Sequence, residues 1–410
     1  MFAAPLPAYA QSIETSDETL GVAEELLSPG LAYKGFIYAP ALTVGGEYNS
    51  NVFADKNNPS SDFIYRVRPS IDIKKEYDTL LLNFSGDVNH ERFVDNADNN
   101  KTEYRTFLTG NYELNSRWSI PMRLRYLKTY RDRGTPQSQG VSEEPLFLTT
   151  AIASLGMTRR FNRLSIGLIG SYTNQEFEDG VAQNGNDRII FSDGNRDIYK
   201  GTLSFKYDFL RSSGLKPDYV FFTDLSLASH KYENRAFENG EFTGINQDRV
   251  ARSFLSGFDV NYKEFVFGRI AAGYTSQVFE VDERENIDSF LVEADMSYKF
   301  TDKHLLGFKI EREINADRII QTNYGLSSAY EIYHNLFLNT DLLYDTYEFT
   351  SDTETENRED TDYGANIGLK YFINDNLSAG LNLGYSTRVS SEPDTEFDRY
   401  IIGVQLTGKL

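Results

Sequence analysis

From about residue 36 to the last residue, apolar and polar side chains alternate with a period of two, the signature of strands with one greasy face. Tyr38, Leu42, Val44 and Tyr48 share one parity, followed by Phe63, Tyr65, Val67, Ile71 and Ile73, and further on by Trp118, Ile120, Met122, Leu124, Tyr126 and Tyr130. The second half repeats the theme with Phe290, Val292, Met296 and Tyr298, and with Tyr363, Ile367, Leu369 and Tyr371. The closing stretch, DRYIIGVQLTGKL (398–410), sets Tyr400, Ile402, Val404, Leu406 and Leu410 against Gly403, Gln405, Thr407 and Lys409, with Ile401 the exception. Chain ends usually fray and carry polar residues. An alternation that persists to the terminus predicts a last strand held on both sides, as in a closed barrel. The pattern predicts an all-β chain of about 18 strands, an even number as a barrel with both termini on one side requires.

The connections alternate short and long. Short ones include KKEYD (74–78), ELNSR (113–117), RRFNR (159–163), NYKE (261–264), FTDKH (300–304), YHN (333–335) and INDN (373–376). Long ones include 49–62, 131–145, 176–197, 230–248 and two acidic stretches, 351–362 and 389–398. DFLRSSGLKPD (208–218) is longer than its place in that order predicts. Short periplasmic turns and long outer loops mark a transmembrane antiparallel up-and-down barrel; a sandwich or propeller has no reason to keep the order. Pro40, Pro69 and Pro121 fall within strands, and the expectation is that all three lie near periplasmic strand ends, where a broken ladder still reaches water.

The opposite parity reads as a water-facing lumen: Glu47, Ser70, Asp72, Asn83, Asp87, Asn89, Thr109, Asn111, Thr202 and Ser204 lie on it. Its charges divide along the chain. A basic arc, Arg66, Arg68, Arg105, Arg123, Arg125, Lys200 and Lys206, comes mainly from the first half. An acidic arc, Asp224, Asp259, Glu293, Asp295, Asp341 and Asp345, comes mainly from the second. In a closed wall these arcs face one another. They either neutralise each other or set a transverse field that orients a polar or anionic passenger. The guanidinium forks of the basic arc suit carboxylates such as those of uronic acids.

Composition narrows the setting. Mean hydropathy is −0.48 and no apolar run is long enough for a spanning helix. Barrel strands need only alternate apolar positions, so a polar mean and a membrane location are compatible. Tyrosine (27) and phenylalanine (29) are abundant, in keeping with pleated half-buried surfaces. A net charge of −20 argues against nucleic acid as partner. With no cysteine there are no disulfides, thiolate metal sites or cysteine nucleophiles. His90, His230, His304 and His334 lack metal-ligand spacing, GYTSQ (273–277) resembles no nucleophile elbow, and neither enzyme chemistry nor a cofactor is expected. MFAAPLPAYA (1–10) ends in an A-x-A pattern and reads as the remnant of an export signal. Residues 11–35 read as a separate periplasmic segment, either one short helix over SDETLGVAEELLSPG or a disordered leader, and 36–410 as the barrel.

The stretch GGEYNSNVFADKNNPSSDFIYRVRPSIDI (45–73) resembles the opening of the BBP2-type outer-membrane β-barrels, through Gly45, Tyr48, Asn51, Phe53, Ser61, Asp62 and Pro69. The acidic-aromatic strand end NHERFVDNADNNKTEY (89–104) fits as well. The final Leu410 departs from the aromatic residue on which such barrels usually finish. The resemblance implies a bacterial outer-membrane protein of exopolysaccharide or capsule production, surrounded by lipid. It also implies a polysaccharide passenger and a periplasmic polysaccharide-export protein as partner. General or solute-specific uptake and a structural or adhesive surface barrel are the alternatives.

Overall fold

The computed structural model describes residues 30–135, 142, 144–181, 188–209, 218–238, 241–315, 318–349 and 358–410. The expected signal remnant and residues 11–29 lie outside these, as do 210–217 and 351–357. The first six long strands are β1 (Phe36–Asn49), β2 (Asp62–Glu76), β3 (Leu80–Phe93), β4 (Lys101–Asn115), β5 (Trp118–Tyr130) and β6 (Phe147–Phe161). Then come β7 (Leu164–Phe177), β8 (Arg196–Asp208), β9 (Asp218–Tyr232), β10 (Arg249–Tyr262), β11 (Val266–Phe279) and β12 (Ile287–Thr301). The last six are β13 (His304–Ile314), β14 (Ile319–Tyr333), β15 (Leu336–Phe349), β16 (Glu359–Asn374), β17 (Leu377–Ser390) and β18 (Phe397–Lys409). These form a closed antiparallel barrel of 18 strands, each paired with its sequence neighbours. The terminal strand is held from both sides: β18 pairs with β17, and with β1 from Ala41↔Lys409 to Asn49↔Ile401. Leu410 N–H still donates to Pro40 O (3.0 Å), which explains why the alternation need not fade at the chain end. Leu31–Tyr33 folds back on Phe36–Tyr38 through Lys34 and Gly35, so residues 31–35 continue the sheet.

The predicted connections narrow further in three dimensions. Apart from the β8–β9 connection, 209–217, which keeps the length expected of it, the inner-rim turns shrink to two or three residues, such as 162–163 and 302–303, because the strands run into the flanking polar positions. Asn162 (φ 37°) supplies the left-handed conformation that so tight a turn demands. On the outer rim the β13–β14 connection, 315–318, is also short.

The apolar parity faces outward, where Leu124, Leu155, Leu168 and Phe290 are exposed. Its aromatics fall at two levels. Tyr104 and Tyr112, Tyr199 and Tyr207, Phe290 and Tyr298, and Tyr363 and Tyr371 are each eight residues apart on one strand. At about 3.3 Å per residue along a strand tilted by roughly 40°, that spacing sets the belts about 20 Å apart in height, close to a hydrocarbon layer. Within the outer belt Tyr324, Tyr344 and Tyr363 stack across neighbouring strands at 5.5 and 5.4 Å.

Each strand proline coincides with a gap in one ladder. The β1–β18 pairing starts after Pro40, the β2–β3 pairing skips from Val67↔His90 to Ser70↔Asp87, and the β5–β6 pairing skips from Ser119↔Thr158 to Met122↔Leu155. Pro40 and Pro121 lie near the inner rim as expected. Pro69 does not: it sits midway along β2, where the Arg68–Asp87 ion pair (3.2 Å) bridges the two strands at the gap. The inner wall also departs from a purely polar lining. Phe222, Leu255 and Ala271 form one buried inward cluster, and Leu305, Ala329, Phe337 and Phe372 another near the inner rim.

Candidate functional site

The luminal charges of β1–β5 meet because the register sets them side by side. Arg66 stands opposite Glu91, and Glu91 opposite Lys101. The Arg66 guanidinium donates to Glu91 Oε1 from Nη2 (2.7 Å) and Nε (3.0 Å) and lies 3.3 Å from Glu47. Lys101 reaches Glu91 at 3.2 Å, and Asn89 donates to both Glu91 and Glu103. Lower on the wall Asp87 takes Arg68 at 3.2 Å and Arg105 at 3.0 Å.

Above this network lies a cavity of about 200 Å³ bordered by Glu47, Arg66, Lys101, Glu103, Asp132, Arg133 and Arg399. Residues 131–135, which follow β5, are drawn against β17 and β18, although β1–β4 separate β5 from β18 along the wall. Arg388 donates to Gly134 O (2.6 Å) and holds Asp362 through two contacts of 2.7 Å. Arg399 donates to Asn51 O (3.1 Å) and lies 3.4 Å from Asp132. Arg133 stacks over Phe53 at 4.7 Å. Burial alone would raise the Asp132 carboxyl, but Arg399, Lys101 and the Gly134 N–H (2.6 Å) together hold it below the usual aspartate range. Tyr130, expected on the lipid side, turns inward at the strand end to line this cavity beneath Lys101 (3.7 Å).

The expected arcs are distributed as follows. Arg66, Arg68 and Arg105 pair with acids on their own wall, as above. Arg125 stacks over Phe107 (5.0 Å), and Arg123 has no acidic partner within ion-pair distance among the described residues. Lys206 reaches Asp259 (3.6 Å), which Arg269 also holds (2.7 Å) while approaching Glu293 (3.7 Å). Lys200 is half-buried on β8, two residues along from Thr202. Asp224 is opposite Ser204, and its Oδ1 finds no hydrogen-bond partner among the described residues. Asp295 stands between Arg269 and Lys309 in register, Asp341 faces Asn366, and the buried Asp345 lies opposite Asp362 and Asn323. Arg269, Arg388, Arg399 and Lys101 were missed as members, although all four sit on the inward parity. Arg133 lies in a connection, where parity carries no information. The inward aromatics left a trace in broken alternation, VFFTD (220–224) and KYFIN (370–374).

Residues 28–410 match a family profile, a span that takes in the entire wall and both seam strands. The chain belongs to the putative beta-barrel porin 2 family. In this porin-2 barrel the family-like residues of the first hairpin do structural work at the closing seam. Asn51 is fully buried; its side chain donates to Asp55 O (2.9 Å) and Asp398 O (3.0 Å). The Asp62 carboxylate accepts from the N–H groups of Asp95 (3.1 Å) and Asn96 (2.8 Å). A Cβ on Gly45 would come within 2.8 Å of Val404 O across the seam. Among solved structures the porin-2 barrel is similar to the outer-membrane protein OpdK of Pseudomonas aeruginosa in a structure with vanillate, at 10% identity and TM-score 0.47, covering 91% of this chain and 99% of that one. It is also similar to the siderophore receptor PirA of the same organism, at 8% identity and TM-score 0.43, covering 91% and 80%. No curated protein matches the sequence. The porin-2 barrel is thus a porin-like protein of the bacterial outer membrane.

Proposed function

We propose that the barrel is a passive, cofactor-free conduit through which a polysaccharide leaves the cell, delivered by a periplasmic export protein. One observation carries this reading. The arginines of the first strands are met by Glu47, Asp87 and Glu91 on the same wall, so this arc of the passage is lined by neutralised ion pairs. Between them stand amides and hydroxyls, Asn89, Thr109, Asn366 and Asn382 among them. Such a lining offers many exchangeable hydrogen bonds to sugar hydroxyls and no strong single-sign field to trap one ionic group. Passage then depends on weak, repeated binding, which suits a polymer. A second reading, uptake of a small carboxylate, is favoured by the cavity of about 200 Å³ beneath Arg133 and Arg399. Measuring surface and periplasmic polysaccharide in a strain lacking only this gene separates the two. Export predicts loss of surface polymer with accumulation in the periplasm, restored by the gene. Normal secretion in a strain without a second copy, together with slowed solute uptake, overturns export and leaves the second reading.

A further inference from the structure

The lipid-facing wall is not uniform. Across β5–β7 it carries an apolar groove of about 500 Å³, bordered by Met122, Leu124, Ala153, Leu155, Gly170 and Tyr172. Ala153 and Gly170 make the depression, since a Cβ on Gly170 would meet nothing within 4 Å. Four to six residues further toward the inner rim, on the same strands, the groove leads to Trp118 opposite Arg159. The Arg159 guanidinium lies over the Trp118 ring (5.0 Å) and the Phe161 ring (4.4 Å). Arg163, on the adjoining turn, reaches the carbonyl of outward-facing Phe209 (3.5 Å). Both arginines are exposed, and neither lies within ion-pair distance of an acid among the described residues. Elsewhere on this rim Lys299 pairs with Asp302 (2.9 Å) and Lys303 with Glu331 (3.4 Å), whereas the nearby exposed Arg117 and Arg160, like Arg159 and Arg163, have no acid within ion-pair distance among the described residues. In a chain of net charge −20, an uncompensated arginine pair at the level of the lipid headgroups is a selective feature.

We infer that this face binds an anionic phospholipid of the periplasmic leaflet. Its phosphate sits between Arg159 and Arg163, and one acyl chain runs along the wall into the groove. Charge decides the occupant: guanidinium forks match phosphate oxygens in two-point hydrogen bonds, and the aromatic rings set their height at the headgroup layer. Length agrees. The groove begins about 13–20 Å along the strand from the arginines at ~3.3 Å per residue, within the reach of an acyl chain.

Trp118 is the sole tryptophan, so its fluorescence reports this site alone. The full barrel is reconstituted in vesicles of mixed phosphatidylcholine and phosphatidylglycerol, with bromine near the glycerol end of the chains of one lipid or the other. Brominated phosphatidylglycerol is expected to quench Trp118 as though enriched there roughly five-fold over its bulk fraction, given the usual attraction of one basic residue for an anionic surface. Arg159→Gln with Arg163→Gln is expected to bring the two lipids to equal quenching; the single variants serve if the double variant loses the heat-sensitive gel mobility of a folded barrel. Equal quenching in the unmodified protein, or a preference that survives the substitutions, overturns the inference. Quenching by both lipids below the random-mixing level, with cross-linked dimers, also overturns it and assigns the face to a second barrel.

Discussion

At the residue scale, the seam depends on a few buried polar side chains with several partners each. Asn51 ties the first connection to the last hairpin through Asp398 O while its own carbonyl receives Arg399. Asp62 closes the neighbouring turn with its carboxylate. Removing such a group strands buried acceptors at Asn51 and buried donors at Asp62, at a cost of about 1–3 kcal/mol each. Asn51→Ala and Asp62→Ala are each expected to lower the urea midpoint of the barrel refolded in vesicles, whereas Asn57→Ala on the exposed tip is expected to leave it unchanged. Asp132 adds a pH dependence with a definite sign. Its folded carboxyl titrates below its unfolded value, so its contribution is complete above about pH 4 and is lost as the pH falls through the folded value. The part of the reconstituted barrel's conductance that depends on Asp132 is therefore expected to stay constant from pH 8 to 5 and to change only in stronger acid. Asp132→Asn should abolish that acid step; a step centred near neutrality would implicate another group.

At the scale of elements, the segment after β5 differs from an ordinary outer loop. Three contacts with remote elements pull it inward: Arg388 of β17 to Gly134 O, Arg399 of β18 to Asp132, and Arg133 over Phe53 of the first connection. No rule of local sequence brings 134 to 388; the barrel does so by curling the wall until these elements share the outer mouth. Arg399→Gln, and separately Arg388→Gln, are expected to release the segment and raise single-channel conductance or its noise. If both variants conduct as the parent does, the segment does not narrow the passage. Strands β4, β8, β12 and β16 show a related economy, each carrying one aromatic for each membrane interface on its outward face.

At the scale of the molecule, the distribution of charge matters more than its division into halves. Each ion pair on the wall removes a source of long-range field, so selectivity falls to the luminal cations without an acid nearby. Arg123 is such a member of the basic arc among the described residues, and Arg125 stands two residues along the same inward face, over the Phe107 ring. Arg123→Glu with Arg125→Glu is expected to shift the reversal potential toward cations in a salt gradient. An unchanged potential would remove the basic arc as a determinant of selectivity. Much of this was legible in one dimension. The period-two pattern separates Leu155 from Ser154 and Arg68 from Val67, and the alternation of connection lengths gives the sidedness. Pro69 was misplaced because parity records which face a residue takes and says little about its depth. Tyr130 was misplaced because a strand end is free to twist away from its parity.

The sequence by itself determined the barrel, its even strand number, its lipid face and its polar interior, because each follows from side-chain period and chain connectivity. Only the tertiary structure decided which charges meet, that Phe222 and Phe337 pack inside, and that residues 131–135 reach β17 and β18. It also brought Arg159 against Trp118 beneath an apolar groove. The physical reason is register and closure. Pairing offsets between strands, and the curvature that returns β18 to β1, set distances between residues far apart along the chain, and no local pattern encodes them.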